Sequence, residues 1–314
     1  MAQIIAHQEI YEQLAANLKS GKLFPVLLFF GPSGVGKKLV AKTLIQDMFC
    51  VTSNHCGHCP ACGKIAREEF EGLHILRPEG NYIKVDAVRD LLQKLTLQNL
   101  HTSNVIIIED AERLNPQSAN ALLKTFEEPP PNTYFFLLSN QVQGLLPTIR
   151  SRSLPVGFRR LTAAEVASLS PDAPKWTIFA SQGRMDVLQS YLQEDLILER
   201  KKALDFAQLL LENSKYTAFQ KIREFISDES NYLQLSFFLQ LFFRDASVYK
   251  LDPTKAFFQD QKSLLQKFSI LDADSLETLF QKSLHIERQI LANQDKGLVL
   301  ESFWLESRQL CASL

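Results

Sequence analysis

Two groups of residues have side chains and spacings suited to chemistry. The first is Gly31-Pro32-Ser33-Gly34-Val35-Gly36-Lys37-Lys38. Glycines at 31, 34 and 36 let backbone N–H groups curl around phosphate oxygens, and Lys37 can reach the outer phosphates. The run fits G-x-x-x-x-G-K-[ST] up to its last letter, where a hydroxyl should ligate magnesium. Lys38 stands there instead. An ammonium has three donors and no acceptor, so it cannot coordinate a cation. The second group is Cys50, Cys56, Cys59 and Cys62, separated by five, two and two residues on a short polar loop. Such spacing suits one tetrahedral zinc. His55 and His58 are spare nitrogen donors, but four thiolates already fill the coordination sphere. No open position remains for an activated water, so the zinc is expected to be structural. The alternative is a set of reduced thiols in a surface loop.

These residues need elements to position them. The apolar run Val26 to Phe30 reads as a buried parallel strand that breaks at Gly31 and restarts as a helix near Lys37, with Leu39, Val40, Leu44 and Ile45 inside. Before it, Ile5, Ile10, Leu14 and Leu18 recur at near-helical intervals. After the cysteines, Leu73 to Leu76 reads as a short strand and Val85 to Leu97 as a helix with Val88, Leu91, Leu92 and Leu95 as its apolar face. Asn104 to Ile108 reads as a strand buried on both faces, ending in Glu109-Asp110-Ala111-Glu112. Carboxylates at that end of a parallel strand are where a phosphate-loop protein holds its magnesium waters and catalytic base, so Glu109 and Asp110 are candidates. Asn115-Pro116 caps a helix through Leu122 and Phe126, which Pro129-Pro130-Pro131 ends. Tyr134 to Leu138 is a further buried strand, with Ser139-Asn140 at its tip and Asn140 a candidate phosphate contact. Alternating strands and helices predict an α/β fold with a doubly wound parallel sheet.

Composition excludes several classes. The chain has 314 residues, 46% of them hydrophobic and 22% charged, with a formal net charge of −1. No global basic field points to nucleic acid. The most apolar stretch, Leu235 to Phe243, falls far short of the ~20 residues a membrane helix needs. No charged-then-apolar leader opens the chain. A cytoplasmic location, without a membrane partner, is therefore expected. Beyond Thr162 the chain reads as helices: Thr162 to Leu169, Lys175 to Ala180 and Met185 to Leu192 are short, and longer ones follow from about Asp195. Leu204, Leu209, Phe219, Ile222, Phe225, Ile226, Leu235, Phe238, Leu239 and Phe242 keep the helical period. The cluster Phe237, Phe238, Phe242 and Phe243 reads as core or subunit interface.

Taken together, several motifs resemble one family. Gly31-x4-Gly36-Lys37, the cysteine knuckle after it, and Ile108-Glu109-Asp110-Ala111-Glu112 are the first three. Ser118-Ala-Asn-Ala-Leu-Leu-Lys-Thr-Phe-Glu-Glu-Pro-Pro130 and Ile149-Arg150-Ser151-Arg152-Ser153 complete the set, and all stand in family order. They resemble the bacterial DNA polymerase III clamp loaders, members of the AAA+ ATPases. The resemblance implies an AAA+ module over 1–158 with its zinc knuckle at 50–62, a small helical lid over 159–195 and a helical collar over 196–314. Motor subunits of that family carry Thr after the loop lysine, Asp-Glu after the strand, and a nucleotide-touching arginine in a Gly-x-x-Arg setting. Here stand Lys38, the inverted Glu109-Asp110, and Gly183-Arg184-Met185-Asp186, with Arg184 out of phase. These departures are similar to the delta-prime type, the stator-like subunit that does not hydrolyse ATP. Tight binding of ATP or ADP is then not expected, although the backbone cradle and Lys37 persist. The family's Ser-Arg-Cys motif is Ser151-Arg152-Ser153 here. The resemblance implies that Arg152 lies on a helix at the module's edge and reaches the ATPase site of the next subunit. It further implies a hetero-oligomer with gamma/tau and delta subunits, acting on a sliding clamp and primed DNA. The chain would then be an accessory subunit of the DNA polymerase III holoenzyme, a DNA-directed DNA polymerase and hence a nucleotidyltransferase. The alternative is a hydrolysing gamma/tau-like ATPase.

Overall fold

A computed structural model of the chain describes residues 6–52, 54–97, 103–212, 220–222 and 232–311. Ile5, Phe219, Phe225 and Ile226 lie outside the described residues. The described residues form two compact units, one of Met1–Pro171 with Gln182–Asp186, the other of Asp172–Ser181 with Val187–Leu314.

The first unit is built on a five-stranded parallel sheet in the order β2-β3-β4-β1-β5. The strands are β1 (Val26–Phe30), β2 (Leu73–Leu76), β3 (Asn104–Ile108), β4 (Thr133–Ser139) and β5 (Leu154–Gly157). Every residue of β3 is buried, and β1 and β4 are nearly so, because helices cover both faces. Alternation then sorts the side chains. Val26, Leu28, Ile106, Ile108, Phe135 and Leu137 enter one core with α4 (Val85–Leu97) and α5 (Pro116–Glu127). Leu27, Phe29, Val105, Ile107, Phe136 and Leu138 enter the other with α1 (Gln8–Lys19) and α2 (Lys37–Phe49). This is the expected α/β fold, a parallel sheet with helices on both faces.

Strand β5 has no counterpart in the sequence reading. Its four residues include Pro155 and are mostly exposed, a pattern that hides a strand from periodicity. It pairs on one side only, with β1, and an edge position tolerates proline.

The cap at Asn115 agrees with the sequence, and a second one appears at Thr162. The Asn115 side chain accepts the Ser118 N–H at 2.8 Å, and Thr162 with Glu165 forms a capping box on α7 (Ala163–Leu169). The short connector α6 (Pro147–Arg150) stops before Arg152, which corrects the expectation of a helix through Ser153. The Ser153 hydroxyl turns back onto the Ile149 carbonyl at 3.0 Å, and β5 starts at the next residue.

The second unit is helical, with the helices Lys175–Ala180, Glu194–Leu209, Tyr232–Leu251, Lys262–Phe268, Ala273–Leu291 and Lys296–Cys311. Phe206, Phe238, Phe242, Phe243, Phe258 and Phe268 are fully buried in its core, and Phe237 packs against it. Arg200 is also held inside, its guanidinium 4.7 Å from both the Trp176 and Phe258 rings and its Nη2 donating to both Asp260 oxygens at 2.8 Å. Among the described residues no helix is long and apolar enough to cross a membrane.

Candidate functional site

In an open parallel sheet, ligand-binding groups gather beyond the carboxyl ends of the strands. There β1 runs into the glycine loop, β3 into Glu109-Asp110, and β4 into Asn140. Gly31, Gly34 and Gly36 all adopt positive φ, at 144°, 69° and 102°. At Gly31 a Cβ would lie 2.1 Å from the Phe158 carbonyl oxygen, so only glycine fits.

The two loop lysines are both engaged with protein oxygens. Lys37, 7% exposed, donates to the carbonyls of Gly31 and Pro32 at 2.6 and 2.7 Å and to Asn140 Oδ1 at 3.0 Å. Burial lowers its pKa, while the charges of Glu112 and Asp110 oppose the shift. Asn140 bridges the site, because its Nδ2 donates to Asp110 Oδ1 at 3.1 Å and its backbone N–H to Glu112 at 3.1 Å. Lys38 points the other way. Its ammonium lies 2.8 Å from Glu109 and 2.7 Å from Glu68. Glu68 also meets Lys42 at 2.6 Å and Arg77, and Arg77 meets Glu109 at 3.1 Å. The carboxylate expected to hold magnesium waters is thus paired with a side-chain ammonium.

Burial pushes the Glu68 carboxyl up, but hydrogen bonds from Lys38, Lys42 and Arg77 outweigh it and hold the group at about 2. A carboxyl lowered from its ordinary 4.5 stabilises the fold fully above that value and loses the contribution as pH falls toward about 2. Urea unfolding across that window should therefore show stability falling with acidity, less steeply in Glu68→Gln. Equal slopes for the two proteins would remove Glu68 from the acid response.

On the other flank of the loop, Asp186 accepts from the Ser33 hydroxyl at 2.8 Å and from Arg184 at 2.7 Å. A Cβ on Gly34 would come within 1.9 Å of Asp186 Oδ1, and the Met185 N–H donates to the Gly34 carbonyl at 2.9 Å. A carboxylate paired with Arg184 therefore sits against the cradle and occupies the space beside Gly34. Arg184, out of phase in the sequence, nevertheless reaches the loop through the Ser33 hydroxyl. The tight Gly183 turn accounts for this: its φ is 77° and its carbonyl accepts the Leu161 N–H.

Arg152 lies away from this cluster. Its guanidinium pairs with Glu127, Nε to Oε1 at 2.8 Å, and donates to the Thr148 carbonyl at 3.2 Å. About a third of the side chain is exposed, at 31%.

The knuckle gathers Cys50, Cys56, Cys59 and Cys62, with sulfurs all within 4.8 Å of one another. Three are buried, Cys62 completely. Backbone N–H groups of Cys56, Cys59 and Cys62 each approach the preceding cysteine sulfur at 3.4 Å. The Cys56 N–H, with the Thr52 hydroxyl and the Asn54 N–H, holds the Cys50 thiol down at about 5, whereas burial pushes Cys62 up to about 12. Donors aimed at sulfur favour thiolates, and a dication would deprotonate the buried fourth. The donor set fits zinc without either histidine. His55 instead joins Asp47 at 2.8 Å and Tyr11 at 3.0 Å, tying the knuckle to α1 and α2.

Glu68, Arg77, Lys42, Arg184 and Glu127 were not visible as partners in the sequence. Only Arg77, directly after β2 at the same sheet edge as Glu109, carried a positional signal.

Comparison with known proteins finds a family match that lies within the first unit. Residues 6–162 match the protein family described as "DNA polymerase III, delta subunit". The chain is 33% identical over 185 residues to the DNA polymerase III subunit delta' of Pseudomonas aeruginosa, covering 55% of this chain and 56% of that protein. It is 37% identical over 147 residues to the delta' subunit of Haemophilus influenzae, covering 46% and 45%. With subunit tau of Escherichia coli it shares 32% over 169 residues, 52% of this chain and 26% of tau. The chain spans about half the length of the delta' relatives it matches.

Proposed function

Because the chain belongs to the DNA polymerase III delta subunit family, we propose that it is a non-hydrolysing, delta-prime-type subunit of a bacterial replicative clamp loader. It works in a hetero-oligomer with gamma/tau and delta subunits in the cytoplasm, assisting ATP-dependent loading of the sliding clamp on primed DNA. Arg152 serves a neighbouring ATPase site. The division into module, lid and collar at 158 and 195 belongs to the same reading, and the four cysteines hold one structural zinc.

The observation that supports it most directly is the Lys38–Glu109 ion pair, at 2.8 Å. Phosphoryl transfer needs magnesium bridging the outer phosphates, ligated by the hydroxyl that follows the loop lysine. Here that position supplies a donor-only ammonium already bound to the acid that should face the metal. The Asp186 carboxylate against Gly34 adds a second obstacle to a triphosphate. A gamma/tau-like ATPase, suggested by the likeness to tau, requires the opposite arrangement at both positions.

Purified alone, the chain is expected to show no steady ATP turnover, and mixed with gamma/tau and delta subunits it should co-purify with them. Turnover by the isolated chain that Lys37→Ala abolishes would favour the ATPase reading. Failure to co-purify would remove the clamp-loader assignment.

A further inference from the structure

Glu68 follows the helix that the cysteine knuckle starts, and its carboxylate acts at the phosphate loop. The knuckle's last two cysteines start α3 (Pro60–Ala66): Cys59 is its N-cap, accepting the Cys62 N–H, and Cys62 lies in its first turn. Seven residues are too few to hold a helix in water unaided. The sulfurs fix its start, and two contacts fix it on α2, the helix that opens with Lys37. Gln46 donates to the Cys62 carbonyl at 3.1 Å and Lys42 to the Ala66 carbonyl at 3.3 Å. The helix then closes with Glu68 in the left-handed region, at φ 64°, its N–H on the Ile65 carbonyl at 3.1 Å. That conformation is uncommon for a glutamate and turns the side chain away from the direction a continued helix would take.

The turn aims the Glu68 carboxylate at three cations, Lys38, Lys42 and Arg77. Without it, Lys38 and Arg77 would share Glu109 alone, leaving close positive charges in mutual repulsion. With it, two carboxylates alternate with the three cations.

We propose that the cysteine knuckle closes the degenerate phosphate site by delivering Glu68 as the counter-ion of Lys38. A side-chain ammonium then holds the place that a divalent cation takes in a working site. Loss of the metal frees the start of α3, and with it Glu68, although the cysteines lie outside the phosphate loop. A subunit closed in this way keeps one arrangement of its loop whether or not nucleotide is present. The inference rests on the knuckle holding a metal, and does not depend on the clamp-loader assignment.

The reactivity of Lys38 toward an amine-acylating reagent tests it. An ion-paired ammonium is poorly nucleophilic, and a shift of one pKa unit changes the free-amine fraction tenfold. The zinc content of the purified chain is measured first. Lys38 acetylation is then followed by peptide mass spectrometry in the zinc-loaded chain, the zinc-stripped chain, and zinc-loaded Glu68→Gln. Lys84, paired with Glu79 at 2.6 Å outside this network, is the internal control. Lys38 should react at least about threefold faster in both altered proteins than in the zinc-loaded chain, roughly half a pKa unit, while Lys84 stays constant. A chain purified without chelator that contains no zinc overturns the metal reading itself. With zinc present, an unchanged Lys38 rate in Glu68→Gln overturns the counter-ion role. Acceleration in Glu68→Gln but not on zinc removal overturns the coupling to the knuckle.

Discussion

Replacing Arg152 with alanine is expected to lower DNA-stimulated ATP turnover in a reconstituted loader by about 10³–10⁵-fold at the site it serves, the range seen for arginines supplied in trans. The chain itself should stay folded. Arg152 meets Glu127 on a partly exposed surface, and such a pair contributes at most about 1 kcal/mol. To act on a neighbour, its guanidinium, 31% exposed, would have to exchange that carboxylate for the charge growing on a transferring phosphoryl group. The neighbour's hydrolysis would then depend on correct assembly, since the arginine arrives only with the whole subunit. Arg150→Ala is the control, because Arg150 lies two positions earlier, at the end of α6. Both variants should assemble, and only Arg152→Ala should lose clamp loading. Normal loading by an assembled Arg152→Ala complex would reduce the residue to the Glu127 ion pair.

Removing the metal is expected to have the largest structural effect. Zinc bound by a small cysteine site is worth about 10–16 kcal/mol in apparent binding free energy, and in such loops that energy is folding energy. The knuckle has little else to fold around: among its described residues the buried side chains are those of Cys50, Cys56 and Cys62, with Cys59 packed against them. One zinc per chain should be found by elemental analysis. Cys62→Ser, at the fully buried sulfur, should abolish it and open residues 51–61 to proteolysis while the sheet persists. The hydrogen bonds among Tyr11 of α1, Asp47 of α2 and His55 of the loop should not hold it closed alone. Stoichiometric zinc retained in Cys62→Ser, with unchanged protease resistance, would exclude four-sulfur coordination.

The fold of the first unit was largely legible because its signals are local. Apolar runs bounded by glycine, proline or charge fixed β1, β2 and β3 at the residues observed, and a 3.6-residue period fixed α4. The cysteine spacing was equally local, since ligands a few residues apart on one loop have little freedom to lie elsewhere. The sequence also determined what the phosphate loop lacks, because a donor-only ammonium at position 38 excludes metal ligation whatever surrounds it. What that ammonium does instead was decided by the tertiary structure. Glu68 reaches Lys38 only because a knuckle folds back on α2, and Arg184 reaches Ser33 from 151 residues away because Gly183 turns the chain. Likewise Glu127 meets Arg152 because α5 and the end of α6 lie side by side, and β5 exists because β1 offered its free edge. Periodicity and residue type report the environment along one element. Which charge neutralises which is set by contacts between distant elements, and no spacing in the chain encodes them.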